Sequence, residues 1–144
     1  MKIHSVNIFI IQLTSRNVEE EGDFMNRITL RTIQESDLPI FFQYQRDSLA
    51  NHMAAFTSKD PIDWNLFSDH WSRILADKSN INRCILLGSE VVGEISSFEM
   101  FGEREVSYWI DRAHWGKGIA TEALKQFLAL VTIRPLYARA SRLI

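Results

Sequence analysis

Apolar and polar positions alternate along this chain in rhythms that predict a succession of short strands and amphipathic helices. Between Arg27 and Ile33 the apolar residues Ile28, Leu30 and Ile33 stand among polar neighbours, the pattern of a half-buried strand. Ser36 and Asp37 then offer N-cap oxygens and Pro39 sits in a first turn. Leu38, Phe41, Phe42 and Leu49 recur on one face, so a helix is expected to run to about Ala50. A second helix start reads as Asp60 at the N-cap, Pro61 at the first position and Asp63 three residues beyond the cap. Trp64, Phe67, Trp71, Ile74 and Leu75 follow at helical spacing, an aromatic stripe suited to core packing.

The β-rich runs Arg83 to Leu87 and Val91 to Phe98 flank Gly88-Ser89-Glu90, which predicts a hairpin. Gly102 punctuates before Glu105 to Ile110, where Val106, Tyr108 and Ile110 point one way and Glu105, Ser107 and Trp109 the other. Ala120, Ala123, Leu124, Phe127, Leu128 and Val131 form the most regular helical stripe in the chain. Pro135 is expected to close that helix, and Leu136 to Ala140 reads as a last strand.

Length and composition narrow the classes. At 144 residues, 46% hydrophobic and 24% charged, the chain is expected to build one soluble core. A net charge of -2 without a dense Lys/Arg block argues against nucleic acid as a partner. Cys84 is the single cysteine and cannot form an internal disulfide, while His4, His52, His70 and His114 are too scattered to predict a metal site. No run reaches the length of a membrane span, and Val6 to Leu13 is broken by Asn7 and Gln12 without a small-residue cleavage site, so a cytoplasmic protein is expected. Residues 1–24, ending in the charge run Glu19 to Asp23, read as an extension in which Asn7 to Leu13 could add an edge strand; residues 25–144 read as the domain.

The candidate chemistry lies in His114-Trp115-Gly116-Lys117-Gly118-Ile119-Ala120-Thr121, between a strand and the most regular helix. No Ser, Thr, Asp or Asn stands immediately ahead of that helix to accept its free backbone N–H groups. A helix N-terminus presents such donors with about half a positive charge, a natural partner for phosphate or pyrophosphate. The glycines remove Cβ atoms that would obstruct an anion, and Lys117 adds a mobile positive charge. A dinucleotide fingerprint lacks its third small residue and its later acidic residue here, and a Walker A loop lacks its Gly-Lys-Ser/Thr ending. A plain strand-to-helix turn remains the alternative.

The run Tyr108-Trp109-Ile110-Asp111 through Trp115-Gly116-Lys117-Gly118-Ile119-Ala120-Thr121-Glu122-Ala123-Leu124 resembles motif A of the GNAT N-acetyltransferases. The branch it resembles acts on ribosomal-protein alanine, spermidine and aminoglycosides. Leu30-Arg31 and Ser36-Asp37-Leu38 resemble that branch's first strand and helix start, so the likeness spans Arg27 to about Ala140, with Trp115 where the superfamily usually has Gln or Arg. The resemblance implies an α+β fold, a mostly antiparallel mixed sheet flanked by helices. It further implies acetyl-CoA as cofactor, its pyrophosphate held by the N–H groups of Gly116, Lys117, Gly118, Ile119, Ala120 and Thr121, and its pantetheine arm paired with backbone near Trp109, Ile110 and Asp111. The acceptor would be a primary amine on a small molecule or peptide, which must lose a proton before attack.

Glu105 is the expected catalytic base, resembling a Glu found at this place in the branch; Glu94 and Glu99 are rivals, and a solvated strand carboxylate is the plainer reading. His114 is a candidate phosphate contact, with solvation the commoner role, and Tyr108 and Trp109 are candidate lining for the acceptor cleft. After Arg139-Ala140-Ser141 the superfamily pattern continues with an Asn-containing segment, another helix and closing strands, whereas this sequence stops at Ile144. The expectation is thus a domain incomplete at its C-terminus, whose open last strand favours pairing with a second copy. The alternative function is a catalytically silent module that binds coenzyme A or another protein.

Overall fold

A computed structural model describes residues 2–3, 27–46 and 62–139, of which residues 2, 3 and 139 are described by backbone alone. The elements are β1 (Lys2–Ile3), β2 (Ile28–Arg31), a 3-10 turn (Glu35–Asp37), α1 (Leu38–Arg46), α2 (Trp64–Ala76), β3 (Ile81–Leu87), β4 (Glu90–Met100) and β5 (Glu103–Ile110). A second 3-10 turn (Arg112–His114), α3 (Ile119–Leu130) and β6 (Ala138–Arg139) follow. Strands β2, β3, β4 and β5 form an antiparallel sheet in that order. Tyr137, just ahead of β6, touches it through one parallel bridge to Glu105, and β6 itself pairs antiparallel with β1. The α+β reading holds, with the mixed character confined to the β5 edge.

Each sheet face has its own core. Ile28, Ile85, Val92, Ile95, Val106 and Ile110 meet Ile119, Ala123, Leu124 and Phe127, the buried stripe of α3. Gln126 on that helix donates to the Ile28 carbonyl at 2.8 Å, tying α3 to the edge strand. On the other face Phe41 and Tyr44 of α1, Phe67 and Trp71 of α2 and Cys84 are buried together. The Phe41 and Trp71 rings lie 5.4 Å apart, so Phe67 and Trp71 of the aromatic stripe are core packing, whereas Trp64 and Leu75 remain exposed.

Three boundaries differ from the sequence reading. The second helix begins at Trp64, not Pro61, because the Asp63 carboxylate accepts the Leu66 N–H at 3.0 Å; Asp60 and Pro61 lie outside the described residues. Asp37 turns backward to accept the Gln34 N–H (2.8 Å) and both ends of the Arg31 guanidinium (2.7 and 2.8 Å). The last helix ends at Leu130, where Val131 leaves the helix in extended backbone and is buried, so Pro135 follows the end without making it. The first helix is described to Arg46, with Leu49 and Ala50 outside the described residues, as is the expected edge strand Asn7 to Leu13.

A register shift between Ile85 and Leu86 matters most for the site. Val91 stands opposite Leu86 and Gly93 opposite Ile85, leaving Val92 as the extra residue of a β-bulge. Beyond it Glu94 shares the α1/α2 face with Val91, although the two are an odd number of residues apart. Gly93 makes the bulge compatible with the neighbouring strand: a Cβ there would lie 2.3 Å from the Trp109 carbonyl oxygen.

Candidate active site

The end of β5 and the start of α3 form the site. Tyr137 accepts from the Val106 N–H and donates to the Arg104 carbonyl, both at 2.9 Å, so these alternate residues turn their backbone groups away from β4. By the same alternation Tyr108 and Ile110 carry N–H and C=O outward, beyond the bridge to Tyr137. Trp109 and Asp111 face β4 instead, the Asp111 N–H donating to the Val92 carbonyl at 2.8 Å. Of the three residues expected along the pantetheine arm, Ile110 therefore offers backbone on the outer edge. Its carbonyl accepts the Trp115 indole N–H at 2.8 Å.

The glycine loop follows directly. Gly116 and Gly118 have φ of +75° and +80°, a left-handed backbone that disfavours side chains. Nothing lies within 4 Å of where a Gly116 Cβ would sit. Gly118 is the N-cap of α3 and supplies no side-chain cap, so the first-turn amides keep the donor character read from the sequence. Lys117 is exposed, Ala120 and Thr121 are half-buried, and Ile119 is buried beneath the loop. An anion carrying phosphate oxygens fits this backbone.

His114 stands two residues ahead of Gly116. Its ring lies between carboxylates, Nδ1 at 3.2 Å from Asp111 Oδ2 and Nε2 at 3.9 Å from Glu90 Oε2, with its side chain mostly buried. Glu90 and Asp111 also line a cleft of about 400 Å³ with Ile40, Gln43, Tyr44, Val91, Trp109 and Arg112. Trp109 thus reaches the cleft and the aromatic core behind it, whereas Tyr108 sits opposite Ile95, 42% exposed.

The three candidate carboxylates are placed very differently. Glu105 is not a solvated strand residue: it is 1% exposed, at the bridge to Tyr137 and opposite Phe98. Glu99 is exposed. Glu94 is half-buried opposite Trp109 and accepts the Ser96 hydroxyl at 3.2 Å. Burial pushes its carboxyl up to about 7, against the smaller downward pull of Ser96. Tyr44, at 3.4 Å from the Val91 carbonyl, is raised by burial and then by the surrounding negative charge of Asp111, Cys84, Glu94 and Glu90. Sequence reading missed Tyr44, whose helical position carries only a packing signal, and Gly93, a lone glycine inside an apolar strand, which is a recognised mark of a bulge.

Comparison with known proteins identifies the family. The profile of the acetyltransferase (GNAT) domain matches residues 27–143, and the chain belongs to that family. The fold is similar to a domain from Methanocaldococcus jannaschii, with a TM-score of 0.63 at 20% identity over 78% of this chain and 77% of that one. Spermidine N-acetyltransferase from Vibrio cholerae, solved with CoA and spermine, gives 0.64 at 14% identity over 78% and 70%. AAC(6')-Ib, solved with paromomycin and acetyl-CoA, gives 0.56 at 20% identity over 72% of this chain and 65% of that one. A search of curated proteins found no match. The chain thus carries a GNAT acetyltransferase domain, and two of the similar structures hold CoA or acetyl-CoA. Among the described residues no helix is long and apolar enough to cross a membrane.

Proposed function

We propose that this chain transfers acetyl from acetyl-CoA to the primary amine of a small molecule or peptide by direct attack. The observation that carries the reading is the continuity of the outward β5 edge at Tyr108 and Ile110 with the uncapped, glycine-led start of α3. Acetyl-CoA supplies the activated thioester. The N–H groups from Gly116 to Thr121 hold its pyrophosphate, with Lys117 adding charge, and the outward groups of Ile110 and Tyr108 pair with its pantetheine amides as a further strand would. An outward N–H on this edge also stabilises the negative charge that develops on the thioester oxygen.

Glu94 is the proton acceptor for the incoming amine in this proposal, directly or through one water. It is half-buried on the cleft side of the sheet, held by Ser96, and its raised carboxyl matches a base that works near neutral pH. Glu105, expected to do this from the sequence, is closed off by burial. Glu90 and Asp111 outweigh Arg112 on the cleft wall and favour a positively charged acceptor, with Tyr44 and Trp109 offering flat apolar surface.

The test is release of free coenzyme A thiol from acetyl-CoA with a panel of polyamines, aminoglycosides and peptides with free α-amines. Amine-dependent release supports the reading. Coenzyme A binding without release for any amine would leave a silent binder, and no binding at all would remove the cofactor assignment too.

A further inference from the structure

The outward β5 edge ends at Ile110 and the glycine cradle begins at Gly116, so the five intervening residues, together with the packing of α3 on the sheet, set how the two stand relative to each other. They form a short turn: the His114 N–H donates to the Asp111 carbonyl (2.8 Å) and the Trp115 N–H to the Arg112 carbonyl (3.2 Å). Gly116 and Gly118, both of left-handed backbone, follow on either side of Lys117. A turn of one 3-10 cycle followed by such glycines holds its direction weakly unless a longer tie fixes it.

Trp115 supplies that tie. Its ring packs, partly buried, against the core under α3, and its indole N–H spans back to the Ile110 carbonyl at 2.8 Å. One side chain therefore links the last outward group of the strand edge, the base of the glycine loop and the buried stripe of the helix. The Ile110 carbonyl has a second lone pair, so it can still accept from a pantetheine amide.

We propose that Trp115 is a positioning residue that keeps the α3 amide cradle in register with the β5 edge, so that the two halves of coenzyme A bind as one linked ligand. The inference rests on the cofactor placement given above. A ligand that engages two sites gains from the effective concentration of its second half, and this gain depends on the sites' relative geometry. Loss of the tie should weaken the linked ligand while sparing each half.

The experiment compares coenzyme A, acetyl-pantetheine and 3′-phospho-ADP on the wild type and on Trp115→Phe, which keeps a ring in the core but loses the donor. The expected result is a rise of about five- to tenfold in the Kd of coenzyme A, the size of one lost hydrogen bond, with either half changed by less than about twofold. Equal weakening of one half alone and of the linked ligand would overturn the proposal, since Trp115 would then serve only that half. So would an unchanged Kd for coenzyme A. A second measurement needs no variant to fold: the Trp115 indole N–H of the wild type, resolved by NMR from the other three tryptophans, should exchange slowly with solvent. Exchange as fast as that of free tryptophan would refute the tie. A wild type that binds no coenzyme A would fail the cofactor placement first and this inference with it.

Discussion

Replacing Glu94 by Gln should make the protein more stable at alkaline pH and much less active, and both effects follow from one carboxyl. Burial raises Glu94 from an ordinary 4.5 to about 7. A group whose folded value lies above its unfolded value adds stability that is fully present below about 4.5 and is lost as pH rises through about 7. The gap corresponds to a ceiling of about 3 kcal/mol, reduced by the water that still reaches this half-buried side chain. Glu94→Gln removes the charge and hence the penalty, so at pH 8 the variant should melt up to about 10 °C above the wild type. At pH 5, where both side chains are neutral, the two melts should nearly coincide. The wild-type kcat/KM should rise about tenfold per pH unit below about 7 and level off above it, and the Gln variant should lose this limb with about a hundredfold or more of the rate. Thermal melts at the two pH values and a pH profile of thiol release test the pair. A melting difference independent of pH would refute the burial argument, and a pH limb that survives in Glu94→Gln would refute the assignment of the base.

Gly118→Asp places a carboxylate at the start of α3, where it would cap the amides itself and repel an anion, so the Kd for coenzyme A should rise about tenfold or more by calorimetry. Gly93→Ala puts a Cβ 2.3 Å from the Trp109 carbonyl, forcing β4 and β5 apart; urea denaturation should show a loss of about 1–3 kcal/mol, with weaker cofactor binding through the displaced Ile110 edge. Arg31→Met leaves the Asp37 carboxylate without its bidentate partner, and stability should fall by about 2–3 kcal/mol at pH 7. The Arg31 hydrogen bonds hold the Asp37 carboxyl below its ordinary 3.8, so the stability it contributes is present above that value and lost as pH falls through the lowered one. The difference between Arg31→Met and wild type should therefore narrow in strong acid, as followed by circular dichroism.

Local periodicities determine most of the architecture. The two-residue repeat of Glu105 to Ile110 and the helical stripe from Ala120 to Phe127 depend on near neighbours only, and both elements stand where expected. The same holds for the hairpin turn at Gly88, whose φ is +62°. The backbone chemistry of the glycine loop was legible for the same reason, since a helix start without a capping side chain is a local fact.

Which side of the sheet Glu94 takes was not a local fact. Uninterrupted alternation would put Glu94 on the face opposite Val91, but the extra residue at Val92 turns it to the same side. Glu105 alternates as predicted, yet it is buried, beside the parallel bridge to Tyr137 more than thirty residues later. Trp115 reads in the sequence only as a departure from a family pattern, and its bond to Ile110 exists because a turn brings the ring back over the strand end. Periodicity sets which residues share a face within one element, whereas burial, partner and proton affinity depend on contacts between elements, and only the assembled sheet decides those.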